Sequence, residues 1–356
     1  MRNVNVLVVS QVGLHHGYLK DIAAVDSRIS VRDGTAQFVA DLRRKGTKGR
    51  SVDMLEEHIS LGRDQQTPVV PEDLDSLLAQ AEVIFGVLLF PENLLLRAPR
   101  LKWIHIEGVG INHYLSTGIF DGYVTVTNSR GTTAIPIAEH VLAFMFMLAR
   151  NAPRLLENKK NRRWEQFVTT ELRDGTVGII GLGAIGGEVA RLAKGNGMKV
   201  LATRKSATRR ESDIFGVDEL YPSSDLLQML PESDFVVIAA PLTDETKGMI
   251  GEVAFRAMKP TAFIINIARG QIVDQSALIR ALREDWIAGA GLDVFETEPL
   301  PLDSELWELP NVILSPHMAP STDKSSQRVM SLFCENLRRY LTDEQLLNVI
   351  DVQKGY

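Results

Sequence analysis

Three polar residues in the second half of the chain stand at the ends of short apolar, β-branched runs. Arg269 closes AFIINIAR, Glu298 follows GAGLDVFET, and His317 follows NVILSP. In an open parallel sheet, ligands collect beyond the carboxyl ends of the strands, so a guanidinium, a carboxylate and an imidazole would converge on one edge. Arg269 can hold a carboxylate through paired hydrogen bonds and polarise a carbonyl beside it. His317 can protonate the alkoxide that forms when a hydride reaches that carbonyl, because imidazole titrates near neutrality. Glu298 next to it would stabilise the imidazolium, raise its pKa and keep the acid form available. Each residue alone also has a structural reading, since lone histidines after strands often serve packing. At three equivalent strand ends, the catalytic reading is the stronger one.

A hydride chemistry needs a nicotinamide, and GLGAIG at residues 181–186 supplies a place for one. TVGII leads in as a strand, Gly181, Gly183 and Gly186 punctuate the turn with Ala184 and Ile185 between them, and EVARLAK continues as a helix. Glycine there serves the tight turn, close approach to a pyrophosphate, and helix-to-strand contact. The helix start offers N–H groups and the positive end of its dipole.

Eighteen residues beyond Gly186, where an acid would hold the adenosine ribose hydroxyls, the chain has Arg204. An acid would repel a 2′-phosphate and Arg204 attracts it. Thr203 can add a hydroxyl, and Lys205, Arg209 and Arg210 add charge nearby. NADP(H) is the preferred cofactor, with NAD(H) as the alternative if Arg204 is a surface arginine and Arg209 and Arg210 are a solvated charge run.

Elements of the right kind precede and separate these residues. TVGIIG, KVLAT, DFVVIAA, AFIINIA, GAGLDVF and NVILSP alternate with helical patterns, and an earlier series, VNVLVVS, AEVIFGV, LKWIHIEGV and YVTVTNS, has the same rhythm. Alternation of this kind predicts βαβ units and parallel sheets, and 356 residues exceed the usual size of a single core. The fold class is therefore α/β with two doubly wound domains. IPIAEHVLAFMFMLARN (135–151) predicts one long buried helix with proline in its first turn, and SSQRVMSLFCENLRRYL (325–341) an amphipathic helix that a returning chain would add to the first domain. The stretch 32–72, with RRKGTKGR, shows little periodicity.

Composition narrows the function classes. With 39 basic and 45 acidic residues there is no basic excess to hold nucleic acid. The lone Cys334 excludes a disulfide framework and a CxxC zinc site, so no metal is expected, and its helical setting predicts ordinary packing. No apolar run reaches membrane-spanning length and the N-terminus lacks a secretory signal, which predicts a soluble, cytoplasmic protein.

From LKWIHIEGVGIN through VTNSRGTTAIPIAEH, TVGIIGLGAIG, APLTDETKGMI, AFIINIARGQIVDQSALIRAL and AGAGLDVFETEPLP to LWELPNVILSPHMA, the chain resembles the D-isomer-specific 2-hydroxyacid dehydrogenases. That resemblance covers roughly residues 83–340. It implies two flavodoxin-like domains, a substrate domain of residues 1–107 plus 319–356 and an inserted nicotinamide domain of 108–318, with the active site in the cleft between them and a homodimer built around the inserted domain. Arg269 matches the family's substrate-binding arginine, Glu298 its glutamate and His317 its acid/base histidine. Asp293 matches an aspartate near the nicotinamide, Pro241 and Ala268 lie in cofactor-side segments, and the backbone of Val109 and Gly110 matches the loop around the substrate carboxylate.

Departures fall where substrate choice is set. Asn112 replaces a common aspartate, Arg130 a proline or small residue, and the first 75 residues match poorly. Leu89 and Phe90 either line the acyl end of the pocket or pack in the core. Leu314, Ser315 and Pro316 before His317 lack the glutamine of the formate dehydrogenase branch, and no regulatory domain is expected after Tyr340. Arg204 resembles the NADP-using glyoxylate and hydroxypyruvate reductase group, so reduction of a small 2-keto acid to the D-2-hydroxy acid is expected. The alternative is a cofactor-sensing regulatory protein on the same fold.

Overall fold

A computed structural model describes residues 3–9, 17–44, 73–86, 93–110, 114–115, 117–120 and 122–352. The chain divides into two compact units, residues 1–132 with 323–356, and residues 133–322. The strand Thr125–Asn128 pairs with Trp103–Ile106 inside the first unit.

The first unit holds a five-stranded parallel sheet. Its strands are β1 (Val4–Val9), β2 (Ile29–Asp33), β3 (Val83–Gly86), β4 (Trp103–Ile106) and β5 (Thr125–Asn128), in the order β2-β1-β3-β4-β5. That is the flavodoxin-like doubly wound order. The apolar runs VNVLVV, VIFG and WIHI are buried on both faces, as parallel strands covered by helices require. The helix Ser325–Leu341 returns to this sheet, and its Phe333 lies 4.4 Å from Phe85 and 5.2 Å from Trp103, ring to ring. Cys334 is buried on the same face, and burial pushes its thiol up to about 11, as a packing residue should behave.

Eight strands form the second sheet. They are β6 (Thr176–Ile180), β7 (Lys199–Arg204), β8 (Glu211–Ile214), β9 (Val217–Pro222), β10 (Phe235–Ile238), β11 (Phe263–Asn266), β12 (Gly289–Leu292) and β13 (Val312–Leu314), in the order β13-β12-β11-β10-β6-β7-β9-β8. All pairs are parallel except β8 with β9. The strand order reverses between β10 and β6, the switch point at which such sheets bind dinucleotides.

The long apolar helix Ala134–Ala149 packs within this unit. A Cβ on Gly291 would come within 2.8 Å of the Phe144 ring, so the small residues of GAGL leave β12 room for that helix. Among the described residues, no helix is long and apolar enough to cross a membrane.

Candidate functional site

The glycine turn follows β6 and opens the helix Ala184–Gly195. Gly181 takes φ 98, a left-handed conformation, and a Cβ there would lie 2.7 Å from Ala240 at the end of β10. A Cβ on Gly186 would lie 2.2 Å from the Gly181 carbonyl oxygen, so helix and strand can meet only through glycine. At Gly183, by contrast, a Cβ would meet nothing, which leaves the backbone open to close approach by a pyrophosphate. The helix start has no side-chain cap and no acid in its first turn. Such a terminus suits a phosphate group.

Arg204 ends β7 with its guanidinium 4.8 Å from the Phe215 ring centroid, in the turn between β8 and β9. Thr203 is buried, and its carbonyl accepts the N–H groups of Gly181 and Leu182. Lys205 pairs with Glu245 at 2.6 Å. Arg209 pairs with Glu211, and Arg210 pairs with Glu219 and stacks on Tyr221, so these two are engaged in the β8–β9 hairpin. Pro241 follows β10, where its carbonyl accepts the Thr246 hydroxyl at 2.7 Å.

Beyond β11, Asn266 brackets the segment that carries the arginine. Its side chain accepts the Ala268 N–H at 3.1 Å and donates to the Arg269 carbonyl at 3.0 Å. Gly270 then passes so close to the β12 loop that a Cβ would lie 1.9 Å from the Phe295 carbonyl carbon. The loops of Arg269 and Glu298 are thereby pressed together backbone to backbone. The Arg269 guanidinium donates to the Ala268 carbonyl, and among the described residues no carboxylate pairs with it. Burial lowers its pKa, against the opposing charge of Glu298.

Glu298 faces two donors. One carboxylate oxygen accepts the Phe295 N–H at 3.0 Å, and the other lies 2.7 Å from His317 Nδ1. Burial pushes this carboxyl up, and the hydrogen bonds from His317 and Phe295, with the charges of His317 and Arg269, outweigh it, so it stays below the usual range. An ionised Glu298 favours the tautomer with the proton on Nδ1. The His317 side chain is 42% exposed.

Asp293 sits deeper, 1% exposed, and serves the histidine loop. It accepts the Ser315 hydroxyl and the Met318 N–H on one oxygen and the Ala319 N–H on the other. His140, on the long helix, reaches Ser315 at 3.0 Å. Sequence reasoning missed His140, Ser315 and Asn266 as positioning residues, although each lies inside a motif it used. Val109 and Gly110 follow β4 in the first unit, with the Val109 carbonyl accepting the Asn128 amide at 2.9 Å. Leu89, Phe90, Asn112 and residues 45–72 lie outside the described residues.

The family described as D-isomer specific 2-hydroxyacid dehydrogenase, NAD binding domain, matches residues 142–319. The chain belongs to the D-isomer-specific 2-hydroxyacid dehydrogenases. Within this dehydrogenase family it is 37% identical over 298 residues to a glyoxylate reductase of Pyrococcus furiosus, covering 80% of this chain and 84% of the relative. It is 34% identical to a glyoxylate reductase of Korarchaeum cryptofilum, covering 85% and 92%. A solved D-isomer specific 2-hydroxyacid dehydrogenase of Xanthobacter autotrophicus, in complex with NADPH and MES, superposes with a TM-score of 0.76 at 26% identity, covering 99% of this chain and 100% of that one. The ligand of this dehydrogenase is thus a nicotinamide cofactor.

Proposed function

We propose that this chain reduces a small 2-keto acid of the glyoxylate or hydroxypyruvate type to the D-2-hydroxy acid, with NADPH preferred over NADH. The observation that carries the chemistry is the 2.7 Å contact between Glu298 and His317 Nδ1, beside an Arg269 whose guanidinium pairs with no carboxylate among the described residues. NADPH, when bound, supplies the hydride. Arg269 binds the substrate carboxylate and polarises the adjacent carbonyl. As the hydride adds to the carbonyl carbon, the π electrons move to oxygen, and His317 Nε2 delivers its proton there. Glu298 holds the imidazolium before transfer and the neutral ring after it.

Arg204 supports the cofactor preference, because a cation at the end of β7 suits a 2′-phosphate where an acid would suit the free ribose. The names of the Pyrococcus and Korarchaeum relatives support the substrate class. Reduction of glyoxylate and hydroxypyruvate, followed with NADPH and with NADH in the parent and in Arg204→Asp, tests both parts. An NADPH preference that collapses in the variant is expected. NADPH binding without turnover of any 2-keto acid would replace the enzyme with a regulatory, cofactor-sensing protein.

The dehydrogenase is also read as a homodimer. Leu155, Leu156, Trp164 and Val168 lie exposed in one stretch of the second unit, with Trp164 at 96% and Val168 at 98%. Apolar surface on this scale calls for a partner, and a second copy is the one the family resemblance implies. Light scattering should give the mass of two chains in the parent and of one in Trp164→Glu. A parent of single-chain mass would end this part of the reading.

A further inference from the structure

A cavity of about 480 Å³ in the first unit is lined by Arg130, Gly131, Thr132, Lys324, Gln327 and Arg328, together with Ser331 and Leu332. Three of these residues are cationic and none is acidic, in a chain whose net charge is −6. The volume lies within the ~300–1,000 Å³ typical of small-molecule sites.

Three features of the wall favour an anion. Among the described residues Arg328 forms no ion pair, and one of its guanidinium nitrogens, Nη1, has no hydrogen-bond partner. The helix Ser325–Leu341 starts here with Lys324 at its N-cap position, no side-chain cap and no acid in its first turn. Gly131 takes φ 92 in the opposite wall, where a Cβ would meet nothing, so the turn presents bare backbone. The hydroxyls are turned elsewhere, Thr132 donating to the Ser129 carbonyl and Ser331 to the Gln327 carbonyl. The wall is therefore one of positive charge and backbone, with arginines suited to bidentate contact.

We propose that this cavity is a second binding site, for a small polyanion carrying phosphate or several carboxylates. It shares no residue with the site of Arg269, Glu298 and His317, and it does not depend on the activity assigned to them. Its two walls come from the last residues before the chain leaves the first unit and the first residues after it returns. A polyanion held by Arg130 on one side and Arg328 on the other would tie those two segments together.

Calorimetric titration of the parent with inorganic phosphate, pyrophosphate and citrate, at matched ionic strength, tests this directly. One saturable site is expected, weakened about tenfold or more by Arg130→Gln and by Arg328→Gln, since a lost charge-assisted contact is worth roughly that factor. Arg130 is exposed, so its variant separates lost binding from lost folding. Preference for pyrophosphate would assign a phosphorylated ligand and preference for citrate a polycarboxylate, either outcome supporting the site. No saturable heat, or binding that survives both variants and disappears only in Arg269→Gln, would overturn it.

Discussion

His317 takes φ 54, a left-handed backbone that costs a non-glycine residue about 1–2 kcal/mol. Three hydrogen bonds to Asp293 from Ser315, Met318 and Ala319 hold the loop in that conformation. The strain thus sits on the proposed acid and its restraint on a buried carboxylate, a distribution expected where geometry serves chemistry. His317→Ala should lower turnover by about 10²-fold or more while cofactor affinity is retained, and steady-state kinetics beside cofactor titration would show it. Turnover equal to the parent's would remove His317 from the reaction. Asp293 illustrates what the sequence could not disclose: its motif is plain, but that its carboxylate is consumed by the loop of His317 depends on one hydroxyl and two backbone N–H groups distant in sequence.

At the scale of elements, the apolar strands were the legible part. Ten apolar runs predicted as strands contain β1, β3–β7 and β10–β13, because buried parallel strands are almost uniformly apolar. β2, β8 and β9 escaped: ISVRD and ESDI lie at sheet edges, where partly exposed polar residues dilute the pattern, and VDELYP carries two acids beside the edge strand. With β8 unseen, the hairpin that brings Phe215 to Arg204 and occupies Arg209 and Arg210 was also unseen. The close passage of Gly270 against Phe295 was equally hidden, because a contact between two loops leaves no periodic trace. Gly270→Ala should displace those loops, costing about 1–3 kcal/mol of stability as overpacking does. Turnover should fall with it, while NADPH titration stays near the parent because the turn at Gly181 is untouched. Parent-like denaturation and turnover would show that the two loops separate without consequence.

For the molecule as a whole, a pH effect can arise in the unit that holds none of Arg269, Glu298 and His317. His105 on β4 is buried beneath Phe85, Trp103 and Phe333, with its ring nitrogens 2.8 Å from the Thr127 hydroxyl and 3.1 Å from that of Ser129. Two hydroxyls satisfy a neutral ring and offer no countercharge to a cation, and burial drives its pKa down from 6.5 to about 3. Between those values the unfolded chain binds a proton that the folded chain refuses. Stability from this residue is therefore complete above pH 6.5 and is lost as pH falls toward 3, at about 1.4 kcal/mol per unit. Denaturation followed from pH 7 to pH 4 should show that slope in the parent and a shallower one in His105→Gln, even though the variant starts less stable. An equal slope in both proteins would place the acid sensitivity in other groups and leave His105 a packing residue that takes its proton without penalty.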